Sequence, residues 1–100
     1  MIKMEHIISE VGLDPKEYPR SSEISVELYD RKNRIIGEKD FDFNKKLFKN
    51  NAKSMSKFIH MIDDCEVERK KLPNEISARI NDDALVFYFP YQSPVFLLFS

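Results

Sequence analysis

A thiol, an imidazole and two carboxylates fall close together at His60, Asp63, Asp64 and Cys65, the residue types from which a nucleophilic cysteine site is built. Their spacing works against that chemistry. On a helix, His60 and Asp64 stand one turn apart and can pair, but Cys65 is five residues from His60 and falls on the apolar stripe, as a structural cysteine would. Two histidines and one cysteine without ligand spacing do not make a closed zinc site. Glycines at positions 12 and 37 alone leave no phosphate-cradling loop. No catalytic residue, metal or cofactor is therefore expected, and the chain reads as non-enzymatic.

Charge is the stronger signal. Residues 44–62 contain no acid, yet Lys45, Lys49, Lys53 and Lys57 recur every fourth position with Lys46 beside them. The rest of the chain holds the other eleven of sixteen basic residues and all seventeen acids, so the net charge of −1 hides two opposed patches. Like charges one turn apart weaken a helix by roughly 0.2–0.5 kcal/mol per pair, and lysines near its start oppose the macrodipole. Such a stripe suits contact with phosphate, although a solvated lysine face looks the same, and the lack of arginine and interleaved aromatics weakens a nucleic-acid reading.

The acidic patch depends on register. Glu23–Asp30 alternates, with Ile24, Val26 and Leu28 on one side, and Arg34–Phe43 carries Phe41 and Phe43 at strand spacing. A hairpin turning at 32–33 would set Glu23 opposite Asp42 and Glu27 opposite Glu38, with Asp40 between. Like charges directly across strands are unfavourable. Glu23, Glu27, Glu38, Asp40 and Asp42 would then form a flat negative face able to dock on a basic partner, or one that merely keeps the sheet soluble. Ile36 has the wrong parity for this hairpin, which calls for a bulge near Gly37.

Other elements must position these groups. Met4, Ile7, Ile8 and Val11 mark one face of a short helix ending at Gly12. Prolines at 15 and 19 make a loop, with Tyr18 packing beneath it. From Asn44 to Cys65, Phe48, Ala52, Met55, Phe58, Ile59 and Ile62 form a helical stripe, either continuous or broken at Asn50-Asn51. Glu75–Asn81 alternates again. Ala84–Phe89 is apolar on both faces and belongs in mid-sheet, with Val95–Phe99 as its hairpin partner. EISVELYD at 23–30 resembles EISARIND at 75–82, which as a duplication would give a sheet with approximate two-fold symmetry.

The expected fold is a single α+β domain over residues 1–100: an antiparallel sheet of four or five strands, a short N-terminal helix and a longer central helix, in the order α-β-β-α-β-β-(β). One cysteine suits a reducing cytosol, charges within MIKMEHIISE argue against a leader, and no run reaches membrane-spanning length, so a cytoplasmic location is expected. The Lys, Asn and Ile content suits an AT-rich bacterial or phage genome. The expected function is non-catalytic protein binding, as an inhibitor or immunity-type protein whose acidic hairpin occupies a basic surface. Alternatives are a nucleic-acid accessory protein using the lysine stripe, or a small structural subunit that dimerises through Val86, Tyr88, Phe96 and Leu98 if both helices cover the other face of the sheet.

Overall fold

Alternating strands and apolar helical stripes resolve into six strands and three α-helices among the described residues of this computed structural model, which are 1–43, 49–50, 52–69, 76–81, 84–89 and 93–98. The chain opens with β1 (Ile2–Lys3) and α1 (Met4–Glu10), then runs through two single 3-10 turns, Pro15–Glu17 and Ser21–Glu23. There follow β2 (Ser25–Tyr29), β3 (Ile35–Ile36), α2 (Glu38–Phe43), α3 (Ala52–Arg69), β4 (Ile76–Asn81), β5 (Ala84–Tyr88) and β6 (Val95–Leu98). The sheet order is β1-β2-β4-β5-β6, with β3 also paired to β2. No helix of the described residues is long and apolar enough to cross a membrane.

All three helices bury side chains in one apolar cluster. Met4, Ile7 and Ile8 from α1, Phe41 from α2, and Met55, Phe58, Ile59 and Ile62 from α3 meet Val26, Leu28, Ile76, Ala78, Ile80, Leu85, Phe87 and Leu97 from the sheet. Phe58 and Phe87 stack with ring centroids 4.0 Å apart at the centre of this layer. The α1 stripe includes Val11 and stops where expected, because Gly12 takes φ +85°, a left-handed conformation that ends helices. The 3-10 turns are tied to α3: the Tyr18 hydroxyl and Ser56 Oγ share a hydrogen bond of 2.9 Å, and buried Ser21 Oγ donates to Asp63 at 2.6 Å.

The expected hairpin is much shorter than its sequence suggests. Asp30 accepts from the backbone N–H groups of Lys32 and Arg34, and Asn33 takes φ 62°, so the turn forms where expected. Pairing, however, ends after Tyr29↔Ile35 and Leu28↔Ile36. The chain then enters α2, whose first turn closes when the Phe41 N–H donates to the Gly37 carbonyl at 3.0 Å. Ile36 and Phe41 are both buried. A strand could not turn both into the one core cluster they share, since five residues apart they point to opposite faces, whereas a helix beginning between them can.

Three other expectations are corrected. The sheet is mixed, since β2 and β4 run parallel with Val26 opposite Ile76 and Leu28 opposite Ala78. The long connection through α2 and α3 returns the chain to the same end of the sheet, which permits a parallel neighbour. That parallel pair also excludes the two-fold axis normal to the sheet that a duplication would have created. The N-terminal residues add a strand that was not expected, with Ile2 opposite Val26. β5 lies between β4 and β6, the interior position its two-sided apolar pattern required.

Candidate functional site

With the helices gathered on one side, the alternate residues of every strand form a second face that none of the described helices covers. The registers align Ile35, Tyr29, Arg79, Val86 and Phe96 in one row across β3, β2, β4, β5 and β6. Glu27, Ser77 and Tyr88 make the next row. The row ends are apolar and wet: Ile35 and Phe96 are each 61% exposed, and Tyr88 is 38% exposed. Val86 between them is fully buried and stands outside the main core cluster.

The polar groups of this face are partly satisfied within it. The Tyr29 hydroxyl donates to the Glu27 carboxylate. Arg79 Nε is buried and has no hydrogen-bond partner among the described residues. Tyr29, Ser77, Arg79 and Tyr88 line a depression of about 340 Å³ around it. Tyrosine and arginine are side chains enriched where proteins meet.

At the β6 end the face runs into a strand edge that has no partner strand among the described residues. β6 is the last strand of the sheet order, whereas the opposite edge is divided between two two-residue strands, β1 and β3. Residues 95–98 are Val-Phe-Leu-Leu, without a charge. Alongside lies a groove of about 250 Å³ between β6 and α3, lined by Ser54, Lys57, Phe58, Met61, Val95, Phe96 and Leu97. Phe96 therefore stands where the face free of described helices, the outer edge of β6 and the groove meet.

No protein-family model, curated protein or solved structure matches the chain.

The expected site residues are distributed unevenly over this framework. Glu23 closes a 3-10 turn, Glu27 is half-buried on β2, and Glu38, Asp40 and Asp42 are exposed on α2, so the five acids belong to three elements rather than one hairpin face. Asp42 bonds His6 Nε2 at 2.7 Å. Lys53 and Lys57 are exposed one turn apart on α3 and Lys49 is exposed ahead of it, while Lys45, Lys46 and Phe48 lie outside the described residues. Val86, Tyr88 and Phe96 do share the helix-free face. Leu98 pairs with Ala84 across β5 and β6, and its side chain, like that of Cys65, lies outside the described part. Asp63 is engaged by Ser21, and the exposed His60 packs edge-on against Tyr18, so both serve α3 docking. Sequence reasoning missed Arg79 and the meeting of His6 with Asp42. The former carries no pattern of its own, and the latter depends on a helix that reads as a strand.

Proposed function

We propose that this chain is a non-catalytic subunit that binds a second copy of itself through its C-terminal strands, with β6 edges pairing antiparallel about a two-fold axis and the adjoining helix-free faces extending the contact. The observation that carries this reading is the gathering of all three helices on one side of the sheet, which leaves Tyr88, Phe96 and the β6 edge uncovered by any described helix. An open apolar strand is a template for another strand, and soluble proteins seldom leave one unprotected.

Self-pairing is favoured over a foreign partner by charge. Two-fold antiparallel pairing sets β6 against its own copy, and a strand without charges meets no like-charge penalty there. At a net charge of −1 two whole chains also approach without long-range repulsion. A standard interface buries about 800 Å² per partner. Four edge residues cannot supply that much of a 6466 Å² surface, so Phe96, Tyr88 and the groove beside α3 contribute side-chain contacts. Light scattering across protein concentration tests the reading. A mass rising from 11.9 kDa toward twice that value supports it, and a monomer at every concentration removes it.

A further inference from the structure

We propose that His6, Glu10 and Asp42 form a binding site for a first-row divalent transition-metal ion of the Zn²⁺ class, joining α1 to α2. One ligand atom from each of the three side chains lies within 4.8 Å of the others. His6 Nε2 and the Asp42 carboxylate are already in contact at 2.7 Å, and Glu10 follows His6 by one helical turn on the same face of α1. A tetrahedral zinc site with bonds of about 2.0–2.1 Å spaces its ligand atoms about 3.3 Å apart, a value between the 2.7 Å of the His6–Asp42 contact and the 4.8 Å span of the cluster.

The supporting side chains hold these ligands in place. His6 is followed by fully buried Ile7, and Asp42 is preceded by fully buried Phe41, so neither helix can rotate without breaking the core. The Phe41 ring also packs on the His6 imidazole, with centroids 5.2 Å apart, and limits its orientation.

Glu10 supplies an independent sign that a cation belongs here. It ends α1, the negative pole of the helix, where a carboxylate is disfavoured and no basic residue offsets it in the last turn. Its carboxylate makes no hydrogen bond or ion pair among the described residues, yet it points toward a second carboxylate. A divalent ion would neutralise both. One imidazole nitrogen with two carboxylates suits zinc and its first-row neighbours, whereas Mg²⁺ and Ca²⁺ prefer oxygen alone. The site is remote in sequence from β6, and it stands or falls separately from self-association.

Calorimetric titration of the full chain with Zn²⁺, in a Cys65→Ser background that removes the thiol, tests the proposal. The expected result is one saturable site, weakened at least tenfold by each of His6→Gln, Glu10→Gln and Asp42→Asn and unchanged by Glu5→Gln. NMR of the two imidazoles provides a second readout without any variant at the ligands: Zn²⁺ should move the His6 resonances and leave His60 in place. No saturable binding below millimolar Zn²⁺, or equal affinity in the three ligand variants, or a response at His60 instead of His6, overturns it.

Discussion

Replacing Phe96 with serine should dissolve the proposed dimer while leaving the monomer folded. With 61% of the side chain exposed, roughly 100 Å² of each ring stands in water before association. Burying that area contributes about 2.5 kcal/mol per ring at 25 cal/mol/Å², and a two-fold contact contains two rings. The loss on substitution is therefore about 5 kcal/mol, or between three and four orders of magnitude in dissociation constant. Within the monomer only the smaller, already buried part of the ring is lost, roughly 60 Å² or about 1.5 kcal/mol at the same coefficient, so urea melts at low concentration should shift by no more than about 2 kcal/mol. Sedimentation equilibrium of Phe96→Ser beside the unsubstituted chain measures the first quantity and a melt the second. A dissociation constant changed by less than tenfold would refute the placement of Phe96 at the contact, and collapse of the monomer would show that the ring belongs to the core instead.

The packing makes three further predictions. Ser21→Ala leaves the half-buried Asp63 carboxylate without its donor and should lower stability by about 1–3 kcal/mol in a urea melt; an unchanged midpoint would show that the bond is not needed. Gly12→Ala should cost about 1–2 kcal/mol because of the +85° φ, whereas Gly37→Ala, with open space around its Cα and no positive φ, should be close to neutral; equal effects would contradict the helix end described. Asp30 is held below its ordinary value of 3.8 by the backbone N–H of Arg34, aided by the Arg34 guanidinium and the Lys32 N–H. A depressed folded pKa gives a contribution that is complete above the unfolded value and lost as pH falls through the folded one. A carboxyl NMR titration of Asp30 should thus have its midpoint under 3.8, and one at or above that value would remove the turn geometry.

Residues whose burial follows from local periodicity were legible in the sequence. The α1 face, the α3 stripe from Met55 to Ile62, and the inward residues of β4 and β5 all occupy the core as their spacing implied. Segment 38–43 was not legible, because EKDFDF alternates as a strand would and its helical character rests on two weak cues: Glu38, an acid favourable in a first turn, and the mismatched parity of Ile36. A bulge and a helix both answer that parity, and local sequence does not choose between them. The parallel neighbour of β2 was equally hidden, since strand pairing across an intervening helix is a long-range choice. The acidic hairpin failed for the same reason, having assumed a register that only a continuous strand could supply. Alternation puts Val86 and Tyr88 on one face of β5, the β5–β6 register adds Phe96 to it, and the confinement of the described helices to the other face is a property of the whole fold.

Amide hydrogen exchange of β6 at several protein concentrations tests the proposed association most directly, because pairing would occupy the backbone groups along the outer edge of that strand. Protection at residues 95–98 should grow with concentration while β4, already flanked by β2 and β5, stays constant. Exchange at 95–98 that is the same at every concentration would contradict pairing through β6.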